Sequence, residues 1–203
     1  MPEFNKHFRM TESDIIKYSK EKSFFNESTY LHCDEIGDGN INYVFRVTDV
    51  STKKSIIIKQ ADVLLRSSGR DLSTQRSRIE AEAFEIYNKL VPNHVPNIYL
   101  YDPVMCLIVM QDIKDYENMR YALLERKIFS GFAENITNFL SEALIGTTDH
   151  ILNPMEKKRL MERFVNPELC EISEKLVFTE PYTNYHGTNV LFSENRIANH
   201  YWL

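Results

Sequence analysis

The chain of 203 residues is 43% hydrophobic and carries 24 Lys+Arg against 29 Asp+Glu, a formal charge of −5. That is enough apolar material for one sizeable core or two small lobes, with no basic footprint for a nucleic-acid backbone. The longest apolar run, Val104 to Met110, falls well short of the roughly 20 residues that cross a bilayer, and the charge-studded N-terminus lacks the apolar stretch of a secretory signal. A cytoplasmic protein that engages neither nucleic acid nor membrane is expected. Cys33, Cys106 and Cys170 lie far apart with no C-x-x-C pair and read as reduced structural residues. The histidines form no H-E-x-x-H arrangement, so any metal ion is expected to arrive with a phosphate.

Along the chain, Thr11-Glu12-Ser13-Asp14 reads as a capping box opening a short polar helix to Lys22, within an N-terminal helical extension over residues 1–29. Ile41–Val47 and Ser55–Lys59 read as strands joined by the polar turn segment Asp49–Lys54, an antiparallel hairpin. Ser73 or Thr74 caps a helix running to about Leu90, on which Ile79, Ala83, Ile86, Tyr87 and Leu90 recur at helical spacing. The Pro92–Pro96 segment ends that helix, and Asn97–Tyr101 and Cys106–Met110 read as two further strands turning at Asp102-Pro103. The expectation is an α+β fold with a small lobe over residues 30–113, in which five strands carry one inserted helix. Beyond Gln111-Asp112 the pattern turns helical. Ile136, Phe139, Leu140, Ala143 and Leu144 form one apolar face and Leu160, Met161, Phe164 and Val165 another, giving a partial helical lobe over 114–182 and a tail over 183–203.

The stretch Glu35 to Val47 holds Gly37-Asp38-Gly39-Asn40 in a turn between strands, and Lys59 follows one strand later. Glycine lets backbone amides approach phosphate oxygens, and a lysine on the adjoining strand can reach the same phosphates. Gly-Asp-Gly also suits an ordinary hairpin turn. Lys59 is the sharper signal, because an ammonium flanked by Ile56, Ile57 and Ile58 needs a carboxylate partner or an anionic ligand. Within Arg78 to Glu85 only one acid can face the sheet; Glu82 is the expected partner and Glu80 the reserve.

These residues resemble the S-methyl-5-thioribose kinases, sugar kinases of methionine salvage within the aminoglycoside phosphotransferase and protein-kinase-like superfamily. The resemblance covers roughly residues 30–182. It rests on Glu35–Val47, Ile57–Ala61, Arg76–Ala83, Tyr101–Met105, Val109–Asp112, Asn166–Ile172 and Leu176–Tyr182. It implies a protein-kinase-like fold, an antiparallel five-stranded N-lobe with one helix and an incomplete helical C-lobe. It further implies transfer of the γ-phosphate of ATP, with Mg²⁺, to the 1-hydroxyl of methylthioribose by a homodimer. Gly37, Asp38, Gly39 and Asn40 would cover the nucleotide, Lys59 supported by Glu82 would meet its phosphates, and Met110, Gln111 and Asp112 would hold the adenine. Two departures stand in this half. Gln111 replaces the family's usual acidic residue after the hinge methionine, and Ser67–Leu72 replaces its tryptophan-bearing loop.

Phosphoryl transfer also needs an Asp at the attacking hydroxyl and an acidic metal ligand. The family supplies them in a His-Gly-Asp loop and a later Asp-Pro-Glu segment. Here His186-Gly187 is followed by Thr188, then Asn189, and Ser193–Leu203 contains no aspartate. Loss of a positioned general base costs about 10²–10⁴ in rate, so the chain is expected to be impaired as a kinase, or to be a catalytically inactive nucleotide-binding or dimerising relic of one. His186 is the candidate substitute base and Asn189 the candidate metal ligand.

Overall fold

Alternating buried and half-exposed side chains along β2 (Asn42–Asp49) mark a strand with packing on both faces, and the sheet grows outward from it. β1 (Leu31–Glu35), β2, β3 (Ser55–Ala61), β4 (Ile98–Asp102) and β5 (Leu107–Gln111) form one antiparallel sheet in the order β1-β2-β3-β5-β4. The computed structural model describes residues 4–37, 41–66 and 69–183. The strand that completes the expected five is Leu31–Glu35, and the fold is α+β, consistent with a kinase-like N-lobe.

The two faces of the sheet do different work. Phe45, Val47, Ile56, Ile58, Leu107 and Val109 fill the first face and are roofed by α1 (Glu12–Glu21) through Ile15 and Tyr18, with Phe4, Met10 and Phe25 around them. Residues 4–29, read from sequence as an extension, thus form part of the core. The capping box is present: the Asp14 N–H donates to Thr11 Oγ1 at 3.3 Å and the Thr11 N–H to Asp14 Oδ2 at 3.0 Å, and the Thr11 hydroxyl, donating to Asp14 Oδ2 at 2.6 Å, together with that backbone N–H holds the Asp14 carboxyl below the usual carboxylate range. Two buried polar groups tie this layer together. Gln60 accepts from the Met10 N–H and donates to the carbonyls of Phe8 and Met105. Asp102 accepts from the Tyr18 hydroxyl at 2.7 Å and from the N–H groups of Val104 and Met105. Cys33 lies in the same core, where burial pushes its thiol up to about 12.

The second face carries Ile57, Ile108 and Met110, with Ile36, Val44, Ile98 and Tyr101 half-buried around them. Against it lies α2 (Gln75–Leu90), which brings Ala81 into that cluster. The turn between β2 and β3 is closed by the Asp49 carboxylate, which accepts from Thr52 Oγ1 and from the N–H groups of Ser51 and Thr52. Thr74 occupies the N-cap position of α2 without a side-chain bond; the neighbouring Ser73 hydroxyl accepts the Gln75 N–H.

Three helices follow: α3 (Met119–Leu124), α4 (Phe132–Ile145) and α5 (Pro154–Phe164). α4 approaches α2 closely at its C-terminal end, where a Cβ on Gly146 would lie 2.6 Å from Leu90 Cδ2. Between α2 and α5 is an apolar cavity of about 300 Å³ lined by Ala83, Ile86, Tyr87, Leu160, Met161 and Phe164 among others. The chain divides into two compact units, Met1–Phe164 and Val165–Leu203. The first runs across residues 29/30 and 113/114 because α1 is fastened to the sheet and α4 to α2. In the second, Asn166 caps α6 (Pro167–Glu174) by accepting the Leu169 N–H, and a π-helical turn over Lys175–Thr179 leads into α7 (Glu180–Thr183).

Candidate nucleotide site

Lys59 lies two residues from Ile57 on β3 and so faces the α2 side of the sheet. Its Nζ lies 2.5 Å from Glu80 Oε1, with the two side chains 28% and 25% exposed. The carboxylate that meets this ammonium is therefore Glu80, and the expectation of Glu82 is corrected. The rotation of α2 explains the exchange. Its buried residues Arg76, Ser77 and Ala81 turn toward the sheet, and Glu80, four residues after Arg76, shares their face. Glu82 shares the face of Ile79, Ala83 and Ile86, the last two of which line the cavity toward α5. It accepts two bonds from Arg163 at 2.7 and 2.8 Å and one from Arg78 at 2.9 Å. Arg163 first, then Arg78, hold its carboxyl below the usual carboxylate range.

After β1 the chain continues on the same side, where Ile36 packs against the cluster of Ile57 and Met110. The Ile36 N–H donates to the Val44 carbonyl at 2.7 Å and closes the base of the hairpin. Gly37 leaves it with φ +92°, where a Cβ would meet nothing within 4 Å, so backbone conformation and not space requires the glycine. Asp38, Gly39 and Asn40 lie outside the described residues, as do His186 and Asn189. At the entry to the turn Glu35 pairs with Arg66, and the guanidinium groups of Arg9 and Arg66 lie over the buried Tyr43 ring, 4.1 and 5.2 Å from its centroid.

Met110 lies on the cleft face of β5, in register with Ile57 and Ile98. The Gln111 N–H donates to the Asn97 carbonyl, while Gln111 Oε1 accepts from the backbone and side-chain amides of Asn97. Asp112 accepts two bonds from Arg46, at 2.8 and 3.1 Å, and one from Ser55 Oγ at 2.7 Å, and its side chain is only 2% exposed. Its carboxylate thus locks the exit of β5 to β2 and β3 and is not free to touch a ligand.

One buried charged group escaped the sequence reading. Arg76 is buried at the start of α2 and donates to Asn42 Oδ1 and to the carbonyls of Leu72, Ser73 and Asp62, with a longer contact to that of Ile41. Burial holds its guanidinium below the usual arginine value. The available signal was an arginine in the first turn of a helix, where the macrodipole disfavours a cation and another employment must compensate.

Among the described residues no three His, Cys, Asp or Glu side chains converge on one point. No helix among the described residues is long and apolar enough to cross a membrane.

No family model matches the chain. It is 40% identical over 182 residues to a methylthioribose kinase of Geobacillus sp. (strain WCH70), a match covering 89% of this chain and 46% of that protein. It is 38% identical over 194 residues to a methylthioribose kinase of Bacillus cereus (strain AH187), covering 95% of this chain and 49% of that protein. The chain is a relative of the methylthioribose kinases. It spans about half the length of the curated relatives it matches, and a third, from Bacillus thuringiensis subsp. konkukian (strain 97-27), repeats the pattern at 38% identity over 194 residues. Matches that cover so much of the chain take in the whole sheet that bears Lys59, together with α2 and Glu80.

Proposed function

We propose that the chain is the ATP-binding part of a methylthioribose kinase, an enzyme of methionine salvage that moves the γ-phosphate of ATP to the 1-hydroxyl of the sugar. The observation that carries this reading is the Lys59–Glu80 pair on the sheet face beside the Gly37 turn. Ile36, Val44 and Ile57 form an apolar surface against which an adenine ring can stack, and the main chain leaving β5 after Met110 offers polar groups to its edge. Lys59 supplies the charge that meets the phosphates, and Glu80 orients the ammonium without neutralising its hydrogen-bonding capacity, since three donors serve one carboxylate oxygen and a ligand. Gly37, Asp38, Gly39 and Asn40 offer backbone amides to the phosphates. Mg²⁺ bound with the nucleotide would supply charge neutralisation on its phosphates. The assembly is a homodimer, as in the resemblance from which the activity is inferred.

Catalysis is a separate matter. With Thr188 after His186-Gly187, this chain on its own binds ATP and gives negligible turnover, which makes a nucleotide-binding relic the second reading. Thermal unfolding followed with and without Mg-ATP tests the first: saturating nucleotide raises the melting temperature of the full chain by mass action. Lys59→Ala weakens binding by about tenfold to a hundredfold, the loss of a charge-assisted contact. A wild-type chain indifferent to Mg-ATP would overturn the reading. ADP release in the presence of methylthioribose distinguishes kinase from relic, with turnover above the Lys59→Ala background restoring the former.

A further inference from the structure

A planar guanidinium offers five N–H donors in a rigid fork, and in Arg76 all of them have an oxygen to meet. Nε donates to Asn42 Oδ1 at 2.8 Å. Nη1 donates to the carbonyls of Leu72 at 3.0 Å and Ser73 at 2.8 Å. Nη2 donates to the carbonyl of Asp62 at 2.6 Å, with that of Ile41 at 3.5 Å. The side chain is buried, at 5% residue exposure. The partners come from three segments that share one property. Ile41 and Asn42 are where the chain leaving the glycine turn rejoins the sheet, in register with Ala61 at the end of β3. Asp62 follows that strand three residues after Lys59, and Leu72 and Ser73 lead into α2, which carries Glu80 one helical turn after Arg76.

We infer that Arg76 is a positioning residue for the phosphate end of the cleft, fastening the exit of the glycine turn, the end of β3 and the start of α2 into one piece. This rests on the reading of the cleft as an ATP site and extends it. Without the fork, the turn that offers amides to the phosphates, the ammonium that meets them and the carboxylate that orients the ammonium are joined only through the sheet and a few helix contacts. Of the apolar adenine surface, Ile57 lies on the other side of Lys59 along β3 from these bonds and Val44 is in register with Lys59 itself, and none of Ile36, Val44 and Ile57 is a partner of the arginine. Loss of Arg76 therefore separates recognition of the phosphates from recognition of the base.

The test is calorimetric titration of the full chain with Mg-ATP and, separately, with adenosine. In Arg76→Met the ATP dissociation constant rises about tenfold or more, the scale of a lost charged hydrogen-bond set, while adenosine binding is unchanged. Arg76→Lys, with three donors in place of five, recovers part of the loss. Asn42→Ala, which removes a single acceptor and keeps the arginine, gives a smaller loss of the same kind and decides the matter should Arg76→Met fail to fold. ATP binding that is unchanged in Asn42→Ala and Arg76→Lys would overturn the assignment. An equal loss of ATP and adenosine would overturn it too, by reducing Arg76 to a general structural role. A wild-type chain that binds neither ligand would instead overturn the reading of the cleft and take this inference with it.

Discussion

Lys59 stands in a run of isoleucines, and the Glu80 carboxylate meets its ammonium there. That a partner was required was legible from sequence; which of two glutamates supplied it was not. Glu80 and Glu82 lie about 200° apart around a helix, so the choice depends on how α2 is rotated, and its most apolar stripe does not mark the sheet side. Small residues, Ser77 and Ala81, mark it instead. The same scale explains Asp112, a residue expected to help hold the adenine. Its oxygens accept from Arg46 and Ser55, and Arg46 is 36% exposed, so water can rehydrate the guanidinium once its partner is gone. Asp112→Ala is accordingly expected to cost about 1.5–3 kcal/mol, less than a fully buried pair would. A lowered urea midpoint at unchanged slope checks this; a midpoint equal to wild type would show that the lock contributes nothing.

α2 works as a two-sided element: one side faces the sheet through Ser77, Ala81 and Glu80, the other faces α4 and α5 through Ala83, Ile86, Tyr87 and Leu90. Its second side is latched by Glu82, held by Arg163 of α5 and by Arg78. Because these cations depress the folded pKa of Glu82 below its unfolded value of about 4.3, the latch stabilises the fold fully above that value. The contribution is lost as pH falls through the lower folded value. Glu82→Gln should therefore be less stable than wild type near about pH 6 and converge with it toward about pH 3. Parallel stability curves across that interval would remove the latch from the account. At this scale the sequence was most readable. β1 was not placed, whereas the positions of β2 to β5, the turn at Asp49, the Thr11 capping box and the stop before Pro92 follow from local chemistry. The placement of α1 does not, because Ile15 and Tyr18 define a buried face without naming what buries it, and Gln60 and Asp102, which secure it, become visible only when distant segments meet.

Within the unit Met1–Phe164 the buried apolar residues are unevenly distributed. Among the described residues only Ala122 and Ala143 of the buried hydrophobics lie beyond Met110, whereas Ile136, Leu140 and Leu144 of α4 are 39%, 44% and 59% exposed. Stability follows burial, so the sheet with α1 should form the cooperative core and α3, α4 and α5 the part that opens locally at lower free energy. Amide hydrogen exchange read peptide by peptide is the measurement. Protection in β2, β3, β5 and α1 should exceed that in α3 to α5 by about tenfold or more, a difference of about 1.4 kcal/mol in opening free energy. Glu82→Gln should widen the gap by releasing α5 while leaving β3 unchanged. Equal protection in α4 and β3 would mean that the helices share the core's cooperativity and that their exposed apolar faces do not weaken them. The graded outcome has a functional reading: the ammonium of Lys59 resides in the more stable part, and Glu80 and Arg76 lie on the side of α2 that faces the sheet rather than α5, so nucleotide binding should survive local opening of α5.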